Sequence, residues 1–211
     1  VNLQDYKIIF WDFDGVIKDS VQVKTNAYLD LFSEADPLTK KKIKEHHLQN
    51  GGMSRFIKIP IYMEWNQIEK NDSIVKGYLE KFAKDVAESV ISSPWIAGVE
   101  EVISKKLDNQ IFVIVTGTPQ DEIDYIIYNL KLNDKFDRIF GSPSNKADVI
   151  KNTLTEYQIN RIDALMIGDS ESDFIASDKN GIDFLFCETG EESEFSKTFI
   201  GKRIKDFKGY L

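Results

Sequence analysis

The chain has 211 residues, a formal net charge of −8 and an apolar fraction of 42%. These values fit one large globular domain, or a core domain with a small insert, and exclude global disorder. The acidic balance, with no basic run longer than Lys40-Lys41-Lys42, argues against nucleic acid and anionic membrane as partners.

The first element is the apolar run Ile8-Ile9-Phe10-Trp11, which ends in Asp12-Phe13-Asp14-Gly15. An uninterrupted apolar run predicts a buried parallel strand. Side chains on a strand repeat with period two, so Asp12 and Asp14 face the same way if the extended geometry continues. Ligands of open α/β sheets sit beyond the carboxyl ends of the strands, which is where these acids fall.

From about Val21 to Ser89 the pattern is helical. Val23, Ala27 and Leu31 mark the first helix, and Asp36-Pro37 opens a second that runs to about Leu48. Ser54 caps a third helix over Arg55 to Asn66, with Pro60 expected to kink or divide it. Asn71-Asp72-Ser73 opens a fourth, carrying Val75, Leu79, Phe82 and Val86. His46 and His47 are adjacent on the second helix, point apart and read as surface or hinge rather than a metal pair.

Beyond Ser92-Ser93-Pro94 the pattern alternates. A helix is expected over Val99 to Leu107, a strand over Ile111 to Val115, a helix opened by Pro119 and continuing to Leu130, and a strand over Phe136 to Phe140. Helices over Lys146 to Tyr157 and Glu171 to Lys179 flank a strand at Ala164 to Ile167, and Phe184 to Cys187 forms a last strand. The charged tail after Thr189 shows no readable pattern. Such alternation implies a doubly wound parallel α/β sheet. The helical block is too long for a crossover and reads as an inserted cap domain. The expected division is a core of residues 1–19 and 93–211 and a helical cap of 20–92, with linkers near Gly15–Ser20 and Ser89–Gly98.

Three strand ends carry matching chemistry: Asp12-Phe13-Asp14-Gly15, Val115-Thr116-Gly117-Thr118 and Ile167-Gly168-Asp169-Ser170, the last with Asp173 close behind. Asp12, Asp169 and a backbone carbonyl supply hard oxygens suited to Mg²⁺. Thr116 and the Gly117 N–H suit a phosphate oxygen, and Lys146 adds positive charge. Lys151 is the weaker alternative to Lys146, one helical turn or so later.

These three strand ends, together with Lys146, resemble the four motifs of the haloacid dehalogenase superfamily, in its branch of phosphatases with a helical cap after the first strand. The resemblance spans Ile8 to Cys187. It implies a Rossmann-like core and hydrolysis of a small phosphate monoester, such as a sugar phosphate or a phosphoglycolate-like acid. It implies Asp12 as nucleophile, forming an aspartyl phosphate, and Asp14 as general acid and base with a raised pKa. Thr116, Gly117 and Lys146 would stabilise the transferring group. Mg²⁺ would be held by Asp12, Asp169 and the Asp14 carbonyl, with Ser170 and Asp173 supporting from behind.

Two departures from the family pattern are Val16, where threonine is common, and the absence of proline after Lys146. Gly51-Gly52-Met53-Ser54-Arg55 and Lys70-Asn71-Asp72 resemble the cap loops of β-phosphoglucomutase-like members, so Gly52, Arg55 and Lys70 are candidate substrate contacts. A sugar phosphate mutase is the runner-up, and a non-catalytic phosphate-binding protein on this scaffold is a third reading. A receiver-type signalling domain does not fit, because one strand carries both the proposed nucleophile and the acid. A dehalogenase would not need Asp14, and a phosphonate hydrolase would need an imine-forming cap lysine, which the sequence does not single out. The lone Cys187 reads as a buried structural thiol, and no apolar run reaches membrane-spanning length. With no visible signal peptide, a cytoplasmic monomer or homodimer acting on a small-molecule ester is expected.

Overall fold

The computed structural model describes residues 1–188 and 193–210. β1 (Ile8–Trp11) lies at the centre of a six-stranded parallel sheet, with order β3-β2-β1-β4-β5-β6. Its neighbours are β2 (Ile111–Pro119), paired Phe10 to Val113, and β4 (Ala164–Gly168), paired Phe10 to Met166. β3 (Arg138–Ser142) lies outside β2, while β5 (Asp183–Cys187) and the two-residue β6 (Arg203–Ile204) complete the other side.

All four β1 side chains are fully buried, as the unbroken apolar run requires. Alternation divides them between the sheet's faces. Ile9 and Trp11 join a cluster with Phe112, Ile114, Leu165 and Ile167, which α5 (Val99–Ser104) and α6 (Gln120–Asn129) cover. Ile8 and Phe10 join Val113, Val115 and Met166 under α7 (Lys146–Glu156); α8 (Glu171–Asn180) adds Ala176 to that cluster.

Between β1 and α5 lie four helices: α1 (Val21–Leu31), α2 (Pro37–Gln49), α3 (Arg55–Trp65) and α4 (Asp72–Ser92). Their starts have local causes. The Asp36 carboxylate accepts from the Leu38 and Thr39 amides, with Pro37 in the first turn, and Asn71 accepts from Ile74 at 2.9 Å. Pro60 neither divides nor ends α3, which is continuous to Trp65. The packing of Ile59, Tyr62 and Met63, all fully buried, outweighs the local cost of the proline.

The two linkers run side by side. Asp19 donates to the Pro94 carbonyl at 2.8 Å and Ile96 donates to that of Ile17 at 3.1 Å. The buried Lys18 ammonium donates to the Ile91 carbonyl at the end of α4 and lies over the Trp95 ring. The apolar cluster is continuous from Ile9 and Trp11 to Tyr28, Ile43, Ile59 and Phe82, so the helical unit packs directly onto the sheet side.

Several boundaries differ from expectation. β2 runs past Val115 to Pro119, with a register shift against β3 between those residues. β3 starts two residues late, because Phe136 turns into the core before the strand begins. α5 ends at Ser104, short of Leu107. The tail, which showed no pattern, contains a short helix, α9 (Glu194–Thr198), and β6. The start of that tail, residues 189–192, lies outside the described residues. Cys187 is buried, as expected.

Candidate active site

The ends of β1, β2 and β4 and the start of α7 converge at one edge of the sheet. Asp12 extends the β1 ladder by one residue, since its N–H still donates to the Ile167 carbonyl at 2.9 Å. Its Oδ1 accepts from the Phe13 N–H at 2.7 Å, and its Oδ2 accepts from Lys146 Nζ at 2.8 Å. The chain then turns at Gly15, whose φ is +73°. A Cβ at that position would lie 2.3 Å from Asp169 Oδ2, so only glycine lets the loop pass the β4 acid.

Lys146 reaches this point because Asn145 caps α7, accepting from the Ala147 and Asp148 amides, and so fixes Lys146 in the first turn. Its ammonium also donates to Asp173 Oδ1 at 2.6 Å. The other Asp173 oxygen accepts from the Ser170 N–H at 3.2 Å and hydroxyl at 2.6 Å, a capping box that starts α8. Burial alone would lower Lys146, but Asp12 and Asp173 outweigh it and hold the ammonium charged.

Oxygens of Asp12, Asp169 and Asp173 lie within 4.8 Å of one another. Asp173 is fully engaged by Lys146 and Ser170, whereas among the described residues no hydrogen bond or ion pair holds the Asp169 carboxylate. Burial, then repulsion by Asp173, raises Asp12; burial, then Asp12 and Asp173, raises Asp169 well above the ordinary carboxylate range. Lys146 opposes both shifts without cancelling them. A buried excess of hard oxygens with one lysine against it fits a divalent cation bound by Asp12 and Asp169.

Asp14 departs from expectation. Burial raises its carboxyl, but the Lys24 ammonium on α1 outweighs that, with help from Ser20 at 2.6 Å and Thr118 at 3.1 Å. The net effect holds Asp14 below its usual range, the opposite of the raised value expected of a general acid. Lys24 also donates to Thr118 Oγ1 at 2.8 Å, and Thr116 Oγ1 accepts from the Thr118 N–H at 3.2 Å. Sequence reading missed Lys24 because it lies one helix away, on a face that only the packing of α1 turns inward.

The loop Gly51–Ser54 closes the site. A Cβ at Gly117 would lie 2.7 Å from the Gly52 carbonyl, and one at Gly52 would meet Ser172 Oγ at 1.9 Å. These contacts require glycine at both positions. Gly52 thus touches the loops after β2 and β4 rather than the inner cavity, whose lining from the four helices and their loops includes Gly51, Met53, Arg55, Lys58, Tyr28, His47 and Phe82. The cavity holds about 50 Å³ of free space, room for roughly four water-sized groups.

Arg55 lines the cavity but is already paired: Nη1 lies 2.6 Å from Glu122 Oε2 on α6, and both side chains are buried. Lys70 is not at the site; it pairs with the exposed Glu64 at 2.7 Å on the outside of the helical unit. His47 is neither surface nor hinge. It is buried and contacts Lys58 Nζ through Nδ1 at 2.9 Å. Burial, then Lys58 and Lys24, keeps the His47 ring neutral. Two lysines of the helical unit, Lys24 and Lys58, therefore line the cavity in place of Lys70, the one the sequence pointed to.

Residues 8–187 match the family model described as haloacid dehalogenase-like hydrolase. No curated protein matches the chain. Among solved structures, a predicted phosphoglycolate phosphatase from Haemophilus somnus superposes with a TM-score of 0.78 at 16% identity, covering 96% of this chain and 95% of that one. A predicted phosphatase from Clostridium acetobutylicum gives 0.71 at 21% identity, covering 96% and 95%. CbbY from Rhodobacter sphaeroides, in complex with xylulose-1,5-bisphosphate, gives 0.73 at 12% identity, covering 97% and 96%. At these identities the superpositions concern the fold.

Proposed function

Because the chain belongs to the haloacid dehalogenase-like hydrolase family, we propose that it is a Mg²⁺-dependent phosphatase of a small phosphate monoester. The convergence of Asp12, Asp169, Lys146 and Thr116 beneath a closed helical unit carries this reading. Two of the superposable structures bear names of phosphatases, which supports it at the level of reaction class.

In this scheme Asp12 attacks phosphorus and the bond to the leaving oxygen breaks, giving an aspartyl phosphate. Lys146 offsets charge on Asp12 and on the phosphoryl oxygens, and Asp173 orients Lys146. The Thr116 hydroxyl and Gly117 N–H hold phosphoryl oxygens. Asp12, Asp169 and the Asp14 carbonyl would hold Mg²⁺, which would supply Lewis-acid charge at the transferring group. Asp14 gives a proton to the leaving oxygen and takes one from the water that cleaves the intermediate. Asp14 is held ionised beside Lys24; the arriving phosphoryl dianion would raise its carboxyl as a like charge, opposing Lys24, so that it takes up from solvent the proton it then gives to the leaving oxygen. Residues 20–92 act as the cap that excludes water during transfer.

Phosphate release should be measured with Mg²⁺ over sugar phosphates, phospho-acids and nucleotides, with Asp12→Asn as control. Release that vanishes in the variant supports the reading. Release that persists in purified variant rejects Asp12 as nucleophile.

A further inference from the structure

Lys58 sits on α3 at 1% exposure and lines the closed cavity with Asp12, Asp14, Thr116 and Asp169. The other cations around it each have an acid. Lys24 is paired with Asp14, Arg55 with Glu122, and Lys146 with Asp12 and Asp173. Among the described residues, Lys58 is the cavity cation without a carboxylate partner. Among the described residues its Nζ has hydrogen-bond contacts with His47 alone, at 2.9 Å from Nδ1 and 3.4 Å from the carbonyl, and it lies 5.9 Å from the centre of the Tyr28 ring. An ammonium has three N–H donors. Two face His47, which leaves one for the cavity.

A buried lysine without an acid is rare, because desolvation is not repaid. A purely structural role on α3 would be served better by an apolar side chain. The position makes physical sense when a ligand brings the missing negative charge. Burial, then Lys24, pulls the Lys58 ammonium down to about 7 against the opposing effect of Asp14 and Asp169, and an anion arriving beside it would raise it again. Beside Lys58, the Nε of Arg55 is also buried and without a hydrogen-bond partner. The free space beside Lys58 is small, about 50 Å³, which suits a compact anion such as a carboxylate.

We propose that Lys58, held by His47, reads a carboxylate on the leaving group, so that the preferred esters are short phospho-acids. This rests on the phosphatase reading above. Once the phosphoryl group lies between Asp12 and Thr116, Lys58 sets which alcohol is accepted on the cap side.

The test compares 2-phosphoglycolate with ethyl phosphate, of the same chain length but with a methyl group in place of the carboxylate, on the Mg²⁺-loaded enzyme. Wild type should favour phosphoglycolate in kcat/KM by at least tenfold. Lys58→Met should abolish that ratio. Lys58→Gln, which keeps a hydrogen bond to His47 without the charge, should do the same and serves if the methionine variant fails to fold. Equal use of both esters by wild type, or an undiminished ratio in both variants, overturns the proposal. A bisphosphate of ethanediol used better than phosphoglycolate overturns the carboxylate assignment. Calorimetry in the Asp12→Asn background gives a readout independent of turnover. There, phosphoglycolate should bind at least tenfold more weakly once Lys58→Met is added. If that difference appears while no ester, p-nitrophenyl phosphate included, is hydrolysed by wild type, the phosphatase reading fails and the Lys58 site stands. If it is absent, the Lys58 site fails.

Discussion

The ion pair between Arg55 and Glu122 joins the helical unit to the sheet side, and its removal predicts a specific pattern. The pair is 2.6 Å long, with side chains 8% and 7% exposed. Removing one partner of a buried pair strands the other charge and costs about 3–5 kcal/mol, whereas replacing both with apolar groups is close to neutral. The stranded charge can regain water if the unit opens, because Arg55 is on α3 and Glu122 on α6. The cost should therefore fall on closure rather than on the whole fold. About 3 kcal/mol corresponds to roughly a 100-fold loss of closed form. Arg55→Met and Glu122→Leu should each lower kcat/KM by about that factor and enlarge the radius of gyration in small-angle scattering. The double variant should recover to within about tenfold of wild type. If Arg55 acts by contacting substrate instead, Glu122→Leu will not rescue Arg55→Met. A double variant as slow as Arg55→Met, or a harmless Glu122→Leu, refutes the latch.

Three further outcomes are expected. Without metal, the raised Asp12 and Asp169 bind protons in the native state that the unfolded chain has released, so stability should fall as pH rises from the ordinary carboxylate range to about 7, the level to which Asp12 is raised. Mg²⁺ should offset that loss of stability, by about 2.7 kcal/mol at 100 times Kd, and Asp169→Asn should be more stable than wild type without metal and insensitive to Mg²⁺; a melting temperature that rises with pH in metal-free protein contradicts the cluster argument. Gly117→Ala places a Cβ 2.7 Å from the Gly52 carbonyl, so it should hinder closure and cut kcat/KM by at least about tenfold for a cost of about 1.4 kcal/mol, and unchanged kinetics would show that the contact is not made during turnover. Asp14→Asn should slow steady-state turnover by about 10²-fold or more, the usual weight of acid–base help; equal rates for wild type and variant would remove Asp14 from proton transfer.

The parallel sheet, its helices and the strand-end residues were legible because each depends on local pattern. Four apolar residues ending in Asp12, and the same grammar at Thr116 and Asp169, survive any packing that makes the strands parallel neighbours. The caps at Asp36, Ser54 and Asn71 were legible for the same reason, since the bonds span only a few residues. The tail strand β6 was not, because two residues have no period to read. Pro60 misled because burial of its neighbours outweighs a local penalty.

The site divides along the same line. Motif spacing placed Asp12, Thr116, Lys146 and Asp169 together without coordinates. What surrounds Asp14 and the cavity depended on how α1, α2 and α3 turn against one another. Only that packing brings Lys24 to Asp14, pairs Arg55 with Glu122, sends Lys70 outward and buries Lys58 against His47. The sequence by itself determined the chemistry at the strand ends, where period and order suffice. The tertiary structure decided the charges that face it, because a helix residue's partner on another element depends on rotation about the helix axis, which no local spacing records.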